Sequence, residues 1–541
     1  MKEFIPLCLL LFLFIEPATS QVTYKVGPGQ KYDAIGLVPW ESLAAGDSVL
    51  IYQRDLPYKE KWVINRIGQA DKWIIIKGIP NATGLLPVID GQDATTRSQL
   101  NYWNEERGVI KIGGSNSPAD GMPAYIKIEN LDIRNGRDAF SFTGRNGITS
   151  YDGNASAIYI EKGENIEIRN CTFSNCGNGF FAAHQSKNIL VESCWFHDNG
   201  NVGSIYEHNN YTEAMGITFQ FNHFSHLLEG SNGNNLKDRS AGTIIRYNWI
   251  EGGNRQLDLV DSDYEEFINT EVYRSTYVYG NILIEPDDEG NSQICHYGGD
   301  SGDEDRYRKG KLYFYNNTVI STRSGNTTLF RLSTNDEIAE CFNNIIYITE
   351  SGDKLAMLNS EGILNLKNNW IKPGWVTSHG ELTGKINDLG NLTTGTSPGF
   401  INESLQDFHL AEGSVCIGQG FSVQGNYPVQ YEYEKHQGKS ERQVIGAIDI
   451  GAYEYEPPTG NASPASDAIK IVPNPVKELM IITSRSEIQK LTIENLSGQK
   501  IIMTNPNKKI FSVNTDNLTK GIYVLMLETE QGKCFKKFIK E

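Results

Sequence analysis

The chain has 541 residues, 66 acidic against 49 basic side chains for a formal charge of −17, and 39% hydrophobic residues. Glycine (53) stands near 10% against a usual ~7%, and tyrosine (26) outnumbers phenylalanine (22). Such a chain is too long for one ordinary core and too rich in turn formers for a helical bundle, and its acidity excludes nucleic acid or an anionic membrane surface as its main partner.

Taken in chain order, Lys2, an apolar run from Phe4 to Ile15 and the small residues Ala18-Thr19-Ser20 read as a cleaved export signal over residues 1–20. The run is shorter than the ~20 residues a membrane span needs, and no later stretch reaches that length. The mature chain is therefore expected to be exported, soluble and monomeric. Seven cysteines remain after the signal (Cys171, Cys176, Cys194, Cys295, Cys341, Cys416 and Cys534), an odd and scattered set that reads as small buried apolar residues rather than a disulfide framework.

From residue 124 to 371 one short phrase recurs, as IKIENLDI, IEIRNCTF, ILVESCWF, ITFQFNHF, TIIRYNWI, TYVYGNIL, LYFYNNTV, AECFNNII and LNLKNNWI. The same slot in each holds Leu131, Cys171, Cys194, Asn222, Asn248, Asn281, Asn317, Asn344 and Asn369, at spacings of 40, 23, 28, 26, 33, 36, 27 and 25. A minimum near 23 with irregular additions fits a coil of short strands with loops inserted at its corners. Stacking the coils about 4.8 Å apart turns matching positions into ladders: amides in the anchor slot, and an apolar row of Phe173, Phe196, Phe224, Ile250, Leu283, Val319, Ile346 and Ile371 two residues on.

On these phrases the chain resembles the right-handed parallel β-helix proteins, whose best-known members are polysaccharide lyases and related carbohydrate-active enzymes. Residues 27–52 resemble the opening segment of such proteins, and 397–420 and 446–455 resemble the closing phrases that cover an exposed end. Beyond a Pro/Ser/Gly linker over 456–467, the charge reverses to +5 over 468–541, leaving −22 on the rest. Ile471-Val472-Pro473-Asn474-Pro475-Val476, IENLSGQKI, LTKGIYVLML and a basic finish resemble the C-terminal sorting domain of type IX secretion. The expected architecture is all-β: cap and first coils over 21–123, β-helix and closing segment over 124–455, and a small β-sandwich over 468–541 that engages the type IX secretion machinery. Localisation is then the medium or the outer cell surface.

Long polar insertions between residues 200 and 310 point to the chemistry. Counting back eleven residues from Asn222 and Asn248 reaches Tyr211 and Lys237, which should be neighbours on successive coils; Leu257 and Leu259 facing inward turn Asp258 outward beside Lys237, and His296 extends the surface. Lys, Arg, His, Tyr and carboxylates in one groove suit an acidic polysaccharide. β-Elimination must neutralise a uronate carboxylate and remove the proton at C5. The resemblance to lyases implies Lys237 as base, kept neutral by nearby positive charge, with Arg239 or Arg255 on the carboxylate, His208 and Tyr211 as acid or substrate contacts, and Asn210, Asn235, Asp258 and His296 as binding residues. Asp238 is expected to oppose this by raising the lysine pKa. The resemblance also implies calcium, for which Asp258, Asp261 and Asp263 are candidate ligands; two further acidic runs, Asp287 to Glu289 and Asp300 to Asp305, match no complete calcium loop.

Two other functions stay open. A hydrolase needs a carboxylate pair, for which Asp258 with Asp261 or Glu213 with Asp238 are candidates. A non-catalytic glycan-binding protein or adhesin would stack sugars on Tyr264, Tyr273, Tyr277, Tyr279, Tyr297, Tyr307, Tyr313 and Tyr315.

Overall fold

The computed structural model describes residues 21–287, 289–392, 395–422, 427–457, 469–495, 500–529 and 532–540. The expected export signal and nearly all of the expected linker lie outside the described residues. The chain divides after Tyr455 into two compact units.

In the first unit each coil lays strands on three parallel ladders. One stacks ten short strands from Val88–Asp90 to Trp370–Ile371. A second runs from Thr23–Val26 through Ile74–Ile79 and Ala241–Arg246 to Lys385–Asp388. The third carries Gly108–Ile112, Leu236–Asp238, Leu257–Leu259 and Gln293–Tyr297 and ends at Leu355–Leu358. In three coils one continuous strand turns the corner from the third ladder to the second: Ser156–Arg169, Asn178–Glu192 and Asn210–Gln220, with register slips after Ile160 and Ala182 marking the bend. Parallel coiling begins as early as Thr23–Val26.

The anchor slot is an amide ladder. Asn222, Asn248, Asn281, Asn317, Asn344 and Asn369 are fully buried, and the Oδ1 of each accepts both a backbone N–H and a side-chain amide from the coil before wherever that coil also carries Asn. Asn391 ends the series below Asn369, and Cys194 begins it by donating its N–H to Asn222. The residue just before each anchor is left-handed: Asn130, Asn170, Ser193, Phe221, Tyr247, Gly280, Asn316, Asn343 and Asn368 have φ between 48° and 66°. That turn explains the recurrent Asn-Asn and Gly-Asn pairs, because Asn and Gly enter this region with little strain. The apolar row also pairs as expected, Phe173 to Phe196 to Phe224 and onward to Ile371. The six described cysteines are buried and free.

The closing segment does more than cover an end. Phe400, Phe408, Leu410, Tyr433, Ile450 and Tyr453 pack against the outward apolar residues of the first ladder, Trp249, Ile282, Ile284, Ile320, Ile345 and Trp370. Asn343 and Asn316 of the left-handed row bond Phe421, Asp449 and Gly451 of this segment. Of the tyrosines expected as a sugar platform, Tyr279 and Tyr315 are buried and Tyr277 and Tyr313 half-buried in a cluster with Tyr427, Val429 and Tyr431 of this segment, while Tyr273 and Tyr297 are buried elsewhere in the coils.

In the second unit the long strand Leu479–Asn495 joins two halves. Its first part pairs with Ile469–Val472 and Lys508–Asn514, its second with Lys500–Thr504 and Gly521–Thr529, and the last of these pairs with Gly532–Lys540, all antiparallel. Met480, Ile482, Leu491, Ile493, Leu525 and Phe538 form its core.

Replacing Asn248 by Ala strands the Asn222 amides and two carbonyls in the interior, so the coil unit should lose about 3 kcal/mol in chemical denaturation. Asn188→Ala, which removes only a surface amide bond to Asn165 but puts alanine at a left-handed φ of 54°, should cost less, about 1 kcal/mol.

Candidate functional site

The third ladder presents one outward column: Lys111, Tyr159, Phe181, Tyr211, Lys237, Asp258, His296 and Arg331 are paired rung by rung. Tyr211 and Lys237 are neighbours without a slip, and Asp258 and His296 follow. The stretch before Lys237 is aromatic, with the Phe181 and Tyr211 rings stacked at 4.9 Å.

At the centre, the Lys237 ammonium donates to Asp258 Oδ2 and to Asp300 Oδ2, both at 2.6 Å. Arg239 donates from Nε to the Tyr211 hydroxyl at 2.9 Å and from a terminal nitrogen to Asp300 Oδ1 at 2.7 Å, and its other terminal nitrogen bonds the Asp261 carbonyl. Asp300 therefore bridges the two cations. It is held by its own N–H, which donates to Asp261 Oδ1 at 2.7 Å. Asp258 takes further bonds from Asn234 Nδ2 at 2.9 Å and His296 Nδ1 at 2.8 Å. A carboxylate can only accept, so His296 carries its proton on Nδ1 and its Nε2 accepts from Ser333 Oγ at 2.9 Å.

The charges follow from these neighbours. Burial alone would push the Lys237 ammonium down, but Asp258 and Asp300 outweigh it and the pKa is raised. Burial likewise opposes ionisation of Asp258, yet Lys237 and His296 hold its carboxyl well below the usual range; Asp300 is lowered by Lys237 and Arg239 against the same penalty. Burial raises the Tyr211 phenol, with Arg239 and Lys237 acting against it. His208, beneath Tyr211, is pushed down to about 3 by burial and by Lys237, and its Nδ1 accepts from the Asn234 N–H at 2.8 Å. Glu213, two residues past Tyr211, is raised to about 7 by burial although Ser262 and Asp263 donate to it.

Several expectations need correction. Lys237 sits among carboxylates and is held charged, the opposite of a lysine kept neutral by positive neighbours. Asp238 does not face it: it points inward, fully buried, bonded to Thr212 and Thr243 and 3.4 Å from the buried Arg308. Asn210 and Asn235 are fully buried and bond the Lys237, Glu251 and Gly252 carbonyls, so neither can touch a substrate. Arg255 stands at the rim, donating to Gln293 and 3.8 Å from Asp258. Of the expected calcium ligands, Asp258 has both oxygens occupied by donors, Asp261 caps the Asp300 loop with Oδ1 while its Oδ2 is buried without a partner, and Asp263 is exposed and turned to Arg306 and Glu213 through its backbone. Among the described residues no three His, Cys, Asp or Glu side chains are grouped to hold a metal. The same commitments remove Asp258 with Asp261, and Glu213 with Asp238, as hydrolytic pairs. Asp300, Asn234 and Ser333 join the site without having been assigned to it; only the acidic run at Asp300 gave a local signal.

The concavities of about 460, 710 and 320 Å³ are lined by other residues, around Leu227 to Asn232, Arg54 to Lys59, and Glu271 to Tyr277. The outward face that carries the charged column is open at Asp300, which is exposed, and at Tyr211, Arg239 and Arg255, which are half-buried, while Lys237, Asp258 and His296 are buried.

Glu213 gives a pH signature. Its folded pKa exceeds the unfolded value, so the folded state binds the extra proton between about pH 4.5 and 7 and stability falls as pH rises through that window. Glu213→Gln should leave the protein at least as stable as wild type at pH 8, with that advantage shrinking toward pH 5 in thermal unfolding.

A family model described as a right handed beta helix region matches residues 88–283, and one described as a secretion system C-terminal sorting domain matches residues 470–541. No curated protein matches the sequence. Among solved structures, the chain is similar to the pectate lyase Pel9A (10% identity, TM-score 0.45, 81% of this chain and 97% of that one) and to an alginate lyase from Paenibacillus sp. str. FPU-7 (10%, 0.42, 68% and 99%). It is also similar to a lacto-N-biosidase from Eubacterium ramulus (11%, 0.40, 68% and 67%). At these distances none of the three lends this chain an activity. The sorting tail supports export to the outer surface or the medium, and no helix among the described residues is long and apolar enough to cross a membrane. The chain thus carries a right-handed β-helix region and, at its C-terminal end, a type IX secretion sorting domain.

Proposed function

We propose that the chain is an exported enzyme that cleaves a uronic-acid polysaccharide by β-elimination on the open face around Lys237. One observation carries this reading: Lys237 and Arg239 converge on a single carboxylate, that of Asp300, at 2.6 and 2.7 Å. A uronate carboxylate of the substrate takes the place of Asp300 between them. With Asp258 still beneath it, Lys237 stays an ammonium, so its task is to neutralise the substrate carboxylate and stabilise the charge that develops there when the C5 proton leaves. The base role passes to Tyr211. Arg239 donates to its oxygen and, with Lys237, acts against the burial that raises the phenol, which lowers the cost of the phenolate, the form that accepts the C5 proton. The electron pair of that C–H bond forms the C4–C5 double bond, the C4–O bond breaks, and the leaving oxygen takes the proton back from Tyr211. His296, Ser333 and Asn234 keep Asp258 in place, and His208, neutral and buried, supports the Tyr211 ring.

Incubation with pectate, alginate and glycosaminoglycans, followed at the ultraviolet wavelength of the unsaturated product, should show a rise with at least one polymer. Tyr211→Phe and Arg239→Ala should each lower kcat/KM by about 100-fold or more. New reducing ends without absorbance would replace elimination by hydrolysis, and a rise that survives both substitutions would overturn the assignment of the site. Because Asp300 competes for the substrate position, Asp300→Asn should lower KM several-fold while Lys237→Ala raises it; an unchanged KM in Asp300→Asn would remove Asp300 from the binding step.

A further inference from the structure

One buried carboxylate in the coil unit has no counter-charge. Glu207 lies in the loop between the strands Trp195–His197 and Asn210–Gln220, with 8% of its surface exposed. Its Oε2 is buried without a hydrogen-bond partner, and no ion pair among the described residues involves it. In the same loop Asn201 donates from Nδ2 to the Gly153 carbonyl at 2.8 Å, and its Oδ1 is also buried without a partner. Gly153 explains why these groups meet. A Cβ at Gly153 would find only polar side-chain atoms as its nearest neighbours: Asn201 Nδ2 at 3.6 Å, and Asp138 Oδ2 and Glu207 Oε1 both at 3.8 Å. Two corner regions, residues 135–155 of one coil and 198–209 of the coil two further on, thus bring two carboxylates, an amide and the backbone of a glycine to one small space.

An ionised carboxylate taken out of water without a partner costs several kcal/mol, which a protein avoids by pairing it or by coordinating a metal. Glu207 has no such partner among the described residues, and the exposed Asp138 meets it at Gly153. We propose that Asp138, Asn201 and Glu207, gathered around Gly153, form a binding site for a hard divalent cation, calcium, distinct from the Lys237 cluster and independent of the reaction carried out there. The donors are oxygens, two on the loop of Asn201 and Glu207 and one on the loop of Asp138, which tolerates the larger and less regular shell of calcium better than the strict octahedron of magnesium. An exported chain meets calcium at concentrations where even a weak extracellular site fills. The site also reaches the active face: Asn178 accepts from the His208 N–H at 2.9 Å and donates to the Asn154 carbonyl at 3.1 Å, so the loop that ends at Tyr211 is pinned to the same corner. Calcium would complete that attachment.

The test is thermal unfolding and titration calorimetry of the full chain in EDTA, in millimolar calcium and in millimolar magnesium, for wild type, Glu207→Gln and Asp138→Asn. Calcium should raise the wild-type Tm, with a smaller gain in magnesium. Glu207→Gln should lose the gain and, with its unpaired charge removed, should be at least as stable as wild type in EDTA. Asp138 is exposed, so Asp138→Asn should fold normally and weaken calcium at least about tenfold; it keeps the test valid if Glu207→Gln does not fold. A wild type that binds no calcium, or a gain that persists undiminished in both variants, overturns the proposal.

Discussion

The coils are locked in register by the buried amide ladder, and everything on the surface depends on that lock. Each anchor Oδ1 below Asn222 takes two hydrogens from the coil above it, while each amide nitrogen also reaches a main-chain carbonyl. A slip of one residue would break these bonds at every step and turn the column of Tyr211, Lys237, Asp258 and His296 into the interior. The thin core explains how a long chain with few apolar residues folds: added length adds coils without asking for a wider interior.

Much of this was legible because the anchor slot admits so few residues. Six asparagines in one slot fixed the repeat, and a count of eleven back from two of them placed Tyr211 over Lys237. The rest failed where alternation meets a corner. Asn210 precedes Tyr211 on one strand, so the parity that turns Tyr211 outward turns Asn210 inward. Asn235 is two residues before Lys237 and would face outward on a longer strand, but the strand starts at Leu236 and the corner buries it. Asp238 is inward by the same parity, and an aspartate there is tolerated because Arg308, some seventy residues on, meets it. Asp300 could not be placed from spacing, since it arrives on a loop of arbitrary length after Gln293–Tyr297. The closing segment was legible as a phrase but not as a cover for the first ladder, whose outward Trp249, Ile282 and Ile320 were the unread signal.

The electrostatics of the site are those of a charge held in balance. The body carries −22, yet the open face gathers Lys237, Arg239 and Arg255 against Asp258, Asp261 and Asp300. Asp258 and Asp261 are buried and fixed, whereas Asp300 is partly exposed and belongs to a loop. Only Asp300 can be exchanged for an incoming anion without stranding a buried charge. An acidic polymer can therefore bind an acidic protein, because it replaces a carboxylate already present rather than adding one.

A structure of the protein soaked with tri- and tetrasaccharides of pectate and alginate tests this directly. A uronate carboxylate should lie between Lys237 and Arg239, with the Asp300 side chain displaced and the Tyr211 hydroxyl facing C5 of the same sugar. An oligouronate bound elsewhere on the coil unit with the Lys237–Asp300–Arg239 bridge intact would contradict it.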